Sequence, residues 1–503
     1  MKHYLTLLIG IFFIQSITAQ ESPILWRTIT PTQVFLPQDA EVQLPIEQFQ
    51  LVELDLKTLK RQLTQAPEEF SKSGAETLIL NLPTPEGEEA LFKVVQSPVM
   101  GEEISARYPS IKSFKIVHAT DNRIQGRIDY SPTGFHAYIS SPKGKIYIDP
   151  YATISTKYHV VYYAKDVRID PSQMPALSCG VHDLAEENSP LRDIDFDESF
   201  DLQKSANTEL LSLRTYKLAL ACTGEYAVAK GGTVEEVLAT MNTAVNRINL
   251  IFEQEVAIRL MIIDRNDELI FLDPATDPYP DARNGTALLS QNTGVINGKI
   301  GFGTYDIGHV FTRGCDNGLA GVANPSSVCQ SNKGAGVTCH FTNDVERIAV
   351  DVMAHEIGHQ FSCGHSWNNC PNSAPQLSES NAFEPGSGST IMSYAGLCGS
   401  NNVQPNADPY YNIGSLEDFI EFSREDDGNN CPTITPTNNH LPAITDSYID
   451  GFTIPINTPF RLSATATDED GDLLTYCWEQ YDTGPSSQLG NPSGDAPLFR
   501  SYP

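Results

Sequence analysis

Polar and apolar residues alternate from Leu213 to Ala221, the two-residue period of a half-buried strand. After Gly231-Gly232 the period lengthens. Val234, Val237, Leu238, Met241, Val245, Ile248 and Phe252 recur at helical spacing, and Thr233 with Glu236 forms a capping box where that helix begins. Val256 to Ile263 reads as a strand again. Strand, helix and strand at this spacing predict a parallel pair bridged by a crossover helix, hence an α/β domain. Upstream, from Glu21 to about Lys204, alternating runs such as Lys143-Gly-Lys-Ile-Tyr-Ile-Asp149 and His159-Val-Val-Tyr-Tyr163 predict a mostly β region. Downstream, Pro432-Thr-Ile-Thr-Pro-Thr437 opens a linker over 432–441. The alternation of Phe460–Thr467, followed by Leu473–Trp478, then predicts a partial Ig-like or cadherin-like β domain over 442–503. About sixty residues are fewer than the roughly one hundred such a sandwich needs, so the chain reads there as part of something longer.

The N-terminus carries Lys2, an apolar run from Leu5 to Ile14 and a small residue at Ala19, the layout of a signal peptide over 1–19. The run is too short to span a bilayer and no other stretch has membrane length, which predicts a secreted, extracellular protein without a membrane span.

The most specific chemistry lies in His355-Glu356-Ile-Gly-His359, with His365 six residues on. Histidines four apart on a helix project from one face, so two imidazoles can converge on one metal ion. His365 follows with room for the helix to end and the chain to return. Three histidine ligands leave a fourth coordination position open, which distinguishes a catalytic zinc from a structural one. Glu356, on the same helix, is placed to take a proton from a zinc-bound water rather than to bind Zn2+ itself. The predicted helix begins after Asn343 or Asp344, with Ile348, Val352 and Met353 burying its flank.

The pattern H-E-x-x-H-x-x-x-x-x-H, followed by Ser389-Thr-Ile-Met392-Ser-Tyr394-Ala, resembles the metzincin zinc metalloproteases, closest to the reprolysin (adamalysin-like) group, over about residues 210–431. The resemblance implies a metzincin-like α/β catalytic domain over 205–431, a Met-turn at Met392 beneath the ligands, and endopeptidase action on a protein or peptide substrate. It also places Tyr394 where some relatives have a tyrosine that approaches the zinc and stabilises the oxyanion, the alternative being a packed ring with a satisfied hydroxyl. The family's glycine three residues after the second histidine is Ser362 here, so either Gly364 supplies the left-handed turn or Ser362 does. Tyr305–Thr312 resembles the strand before the substrate-side edge, with His309 structural, and Gly318-Leu-Ala-Gly-Val-Ala323 falls where that edge strand pairs with extended substrate. Ser178-Cys179-Gly-Val resembles the cysteine switch of matrix metalloproteases and reprolysins. It implies a propeptide over 20–204 whose Cys179 thiolate ligates the zinc and keeps the enzyme latent, the propeptide being its own inhibitor. The alternatives for Cys179 are a free buried thiol and a bridge to Cys477. The acidic stretch after it suits a cleavable link, cut after Lys204 or Arg192. An inactive metzincin-fold adhesive or binding module is the rival reading, and intact Glu356 speaks against it.

Charge narrows the partners. A net −30 disfavours nucleic acid and anionic membranes, which would repel it. It is compatible with Ca2+, and Asp468-Glu-Asp-Gly-Asp472 is either a calcium loop or a solvated turn, the turn being favoured. Eight cysteines, Cys222, Cys315, Cys329, Cys339, Cys363, Cys370, Cys398 and Cys431, surround the zinc motif and allow four disulfides. Ser415 and Asp418 start a short helix through Phe422, after which Cys431 closes the domain.

Overall fold

The computed structural model describes residues 25–42, 45–71, 77–167, 178–180, 211–316, 318–339, 348–445 and 453–502. The expected signal peptide, the cut sites at Arg192 and Lys204, and the caps at Asn343 and Asp344 lie outside these residues.

The N-terminal region is mostly β, as the alternating runs predict. Its strands are β1 (Trp26–Thr28), β2 (Gln50–Leu54), β3 (Leu78–Pro83), β4 (Glu89–Gln96), β5 (Lys112–His118), β6 (Gln125–Ser131), β7 (Gly134–Ser141), β8 (Gly144–Pro150) and β9 (Tyr158–Tyr163). They form one antiparallel sheet in the order β1-β2-β9-β8-β7-β6-β5-β4-β3. Helix α1 (Leu56–Leu63) and the apolar face of the sheet enclose a core that includes Leu80, Phe92, Ile116, Ile128 and Phe135. Helix α2 (Glu102–Arg107) lies on the side toward the second region.

The second region holds β10 (Ser178–Cys179), β11 (Ser212–Cys222), β12 (Ile258–Ile262), β13 (Ile307–Thr312), β14 (Leu319–Ala323) and β15 (Gly336–Cys339), in the order β10-β14-β15-β13-β11-β12. Strands β11 and β12 are parallel and joined through α4 (Val234–Val256), which follows the short α3 (Gly224–Ala229). Thr233 caps α4 by accepting the N–H of Glu236, and the apolar stripe read from the sequence is buried from Val237 to Phe252, with Val234 partly buried at its start. Helix α5 (Gly285–Ile300) covers the opposite face. Thus the region is the expected α/β unit. Strand β14 is antiparallel to β15 and takes β10 on its outer side.

Four expectations change. Residues Thr433–Pro436 of the expected linker form β16, antiparallel to Ser212–Thr215 at the start of β11. The β-branched Thr433, Ile434 and Thr435 supply strand propensity beside an unpaired half-edge, and Pro436 sits at the strand's end, where a missing N–H is tolerated. The short helix begins at Ile413, not at Ser415 or Asp418. It is α7 (Ile413–Ile420), capped by Asn412, with the zinc-motif helix α6 preceding it in the chain (His355–Gln360). Three disulfides form, Cys315–Cys339, Cys329–Cys431 and Cys370–Cys398, while Cys222 and Cys363 remain thiols in the apolar core.

The Ig-like sandwich does not form among the described residues. Only β17 (Ala443–Ile444) and β18 (Ala466–Thr467) pair, and Phe460, Leu462 and Trp478 stay exposed, because no second sheet covers that face. The segment instead lies along the α/β region, with Tyr481 stacked on Phe383 and Glu479 accepting the N–H of Ile413. Asp468 accepts the N–H groups of Asp470 and Asp472, the turn alternative for the acidic run.

Candidate metal centre

A widened π-type turn over Ile348–Ala354 leads into α6, with Val352 and Met353 buried; the side chain of Ile348 lies outside what is described. The helix brings His355 and His359 to one face, and the chain turns back after Phe361 to deliver His365. The three rings lie 4.7–5.3 Å apart between centroids, and His355 Nε2 and His359 Nε2 are 3.2 Å apart.

Each ring is fixed through its other nitrogen. Nδ1 of His355 donates to Ile391 O at 2.8 Å, that of His359 to Cys363 O at 2.7 Å, and that of His365 to Gln376 O at 2.7 Å. This sets all three tautomers so that the Nε2 lone pairs converge. Burial holds His355 down to about 4 and His365 down to about 3, so the imidazoles are neutral, as metal ligands must be. Nε2 of His365 is buried and has no hydrogen-bond partner. An orphaned buried acceptor facing two other nitrogens is costly alone and satisfied by a cation. The donor set of three neutral imidazoles therefore fits zinc.

Cys179 joins the same cluster. Its Sγ and the histidine nitrogens lie within 4.8 Å of one another, with Sγ 3.5 Å from His359 Nε2 and 3.6 Å from Glu356 Oε2. Neither Cys179 nor Cys477 is disulfide-bonded. Strand β10 carries Cys179 there by pairing with the outer side of β14, and Gly180 N–H donates to Gly321 O at 2.9 Å.

Glu356 is buried against β14. A Cβ on Gly321 would lie 2.5 Å from its carboxylate oxygen, so glycine makes that approach possible. Burial raises the Glu356 carboxyl to about 8, while the contact from Cys179 works the other way. Met392 is fully buried beneath α6, and a Cβ on Gly358 would lie 2.5 Å from its Sδ, so the sulfur packs on the helix backbone between the first two histidines. Tyr394 packs edge-on to His365 at 4.7 Å and donates its hydroxyl to Gln376 Oε1 at 3.0 Å, the packed alternative. His309 is buried and structural, bonded to Thr338 and Gln360.

Ser362, not Gly364, takes the left-handed conformation, with φ +82°. For a residue with a Cβ this costs about 1–2 kcal/mol, against about 0.5–1 kcal/mol of extra chain entropy lost by glycine. Ser362→Gly is therefore expected to hold or slightly raise the unfolding midpoint. Ser362→Val should lose about 1–3 kcal/mol, since a β-branched residue resists that turn. Denaturant unfolding of the two variants checks this, and equal stability would remove the strain argument.

Two residues were not singled out by sequence. Glu384, fully buried, accepts from Ser389 N, Thr390 N and the Ser366 and Thr390 hydroxyls, and so fixes the loop into Met392. Gln376 takes the Tyr394 hydroxyl on one amide atom, donates from the other to Cys179 O, and supplies its own carbonyl to His365. Neither belongs to a spaced motif. Only the buried polar loop that brings them together marks them.

Fold and site together define a metallopeptidase-type centre. Residues 212–421 match the family model described as Metallo-peptidase family M12B Reprolysin-like, in agreement with the resemblance carried by the histidine motif and the Met392 loop. Among solved structures, one similar chain is described as metalloproteinase-II from Bacteroides fragilis, at 9% identity and TM-score 0.37, covering 73% of this chain and 95% of that one. Another, described as a chaperone-substrate complex, has 14% identity and TM-score 0.28, covering 44% of this chain and 36% of that one. No curated protein matches the chain. Among the described residues no helix is long and apolar enough to cross a membrane.

Proposed function

We propose that the chain is a secreted zinc endopeptidase made as a latent precursor, with residues 20–204 as its propeptide. The observation that carries this reading is the convergence of His355, His359, His365 and Cys179 at one buried point beside Glu356. His355, His359 and His365 would hold Zn2+, which supplies Lewis acidity toward a peptide carbonyl and an attacking water. Glu356 takes the proton of that water and returns it to the leaving amine. The backbone of β14 offers its outer edge to an extended substrate, the edge that β10 covers in the precursor. Cys179, with its thiol among the ligands, excludes water and substrate together. Three disulfides suit an oxidising compartment, which supports export.

The test is casein or gelatin hydrolysis by the precursor after limited proteolysis. Activity is expected on processing and is expected to vanish with a zinc chelator and return with zinc. Processed protein that binds zinc and cuts neither substrate nor peptide libraries would leave the binding-module reading in its place.

A further inference from the structure

Helix α4 carries two written faces. The apolar stripe faces its own sheet, and the other side presents Asn242, Thr243, Asn246, Arg247 and Glu253, a pattern suited to water. In the structure that polar side is buried under the N-terminal sheet. Arg127 of β6, fully buried, bonds Asn246 Oδ1 at 3.1 Å and pairs with Glu253, which also binds Arg259 at 2.5 Å. Arg259 continues to Glu69 at 2.9 Å. Asp149 of β8 pairs with Arg247 and accepts from Tyr162 at 2.9 Å, and Thr243 donates to Asp129 at 2.8 Å. Apolar side chains of both regions join one cluster around these pairs, Val99, Met100 and Val160 with Leu250 and Ile251 among them.

A backbone contact adds to this. Ile262 N–H donates to Val99 O and Gly101 N–H to Ile262 O, each at 2.8 Å, so residues 99–101 pair with β12, the edge of the sheet opposite β14. The N-terminal half of the chain thus grips both edges of the α/β sheet. Only one of these grips involves the metal centre.

We propose that the N-terminal β region is bound to the α/β region through the polar face of α4 and the β12 edge, independently of Cys179. Cutting the chain between residues 181 and 210 therefore leaves a non-covalent two-chain complex, and withdrawal of Cys179 and departure of the β region are separate events. The surface suits a partner that can leave. Once uncovered, the asparagines, threonine, arginine and glutamate return to water beside the α4 side chains of the shared apolar cluster, Leu250 and Ile251 among them, while the stripe facing the α/β sheet stays covered. While covered, its charges are paired across the contact, and removing one partner leaves the other buried alone, which selects for this particular occupant.

The experiment uses the full chain carrying Glu356→Ala and a recognition sequence for a specific protease inserted between 181 and 210. After complete cutting, both fragments are expected to co-elute in size-exclusion chromatography at the volume of the intact chain. Co-elution is expected to persist with Cys179→Ala and with chelator present. Separation in either background overturns the proposal. In the cut chain Arg127→Ala is expected to weaken association at least tenfold, read from separation on serial dilution, whereas Lys143→Ala, at an exposed pair with Glu86, leaves it unchanged. Association unaltered by Arg127→Ala likewise overturns it, provided the uncut variant still unfolds cooperatively. If Arg127→Ala does not fold, the Cys179→Ala co-elution decides alone. The readout is association in a chain lacking Glu356, so it stands or falls apart from the peptidase reading.

Discussion

Glu356→Ala is expected to lower casein hydrolysis by the processed protein by about 10²–10⁴-fold, the range that a positioned general acid–base contributes. Zinc content should not change. The three histidines are oriented by the carbonyls of Ile391, Cys363 and Gln376, none of which involves Glu356. Metal analysis beside kinetics separates the two effects: a variant that loses activity and zinc together has lost its ligands, not its base. Glu356→Gln, nearly isosteric against Gly321, should fall equally far, because shape is retained and only proton acceptance is lost. A variant at wild-type rate would remove Glu356 from the chemistry and with it the proposed mechanism.

Cys179→Ala is expected to give the unprocessed precursor measurable activity on a short peptide substrate, at least tenfold above wild-type precursor. The thiol lies 3.5 Å from His359 Nε2, and its removal would open the fourth position of a zinc held by the three histidines. The gain should stay below that of the fully processed protein, because β10 still pairs with β14 and the Gln376 amide still holds the carbonyl of residue 179. Cys179→Ser, smaller in ligand strength but similar in shape, should fall between. Peptide cleavage rates of the three precursors, with processing blocked and checked by gel, provide the measurement. A silent Cys179→Ala precursor would mean that covering the cleft, not filling the metal position, maintains latency.

The convergence of His355, His359 and His365 was legible because the pattern is local. Two histidines four apart and a third six further on are held by one helix and one turn, and a helix states its faces in its spacing. The β11–α4–β12 unit was legible for the same reason, its periods of two and 3.6 being uninterrupted. Ser362 could be marked as a departure but not resolved, since either it or Gly364 can supply a left-handed turn and only the closed chain chooses.

Sequence by itself thus determined the histidine spacing that the fold gathers into one cluster, the α/β unit that carries it, and the mostly β character of the N-terminal region, all of which arise from neighbours in the chain. Tertiary structure alone decided which cysteines pair, that Thr433–Pro436 closes a half-edge of β11, and that the acidic run near Asp468 forms a turn, with no sandwich around it among the described residues. It also decided the fate of the polar side of α4. Asn246, Arg247 and Glu253 carry the signature of a solvent-facing stripe, yet they are buried because Arg127 and Asp149, more than ninety residues away in sequence, bring the matching charges. Polarity along a helix states what a face can bond to, and whether water or another part of the chain answers depends on long-range contacts that no local period records.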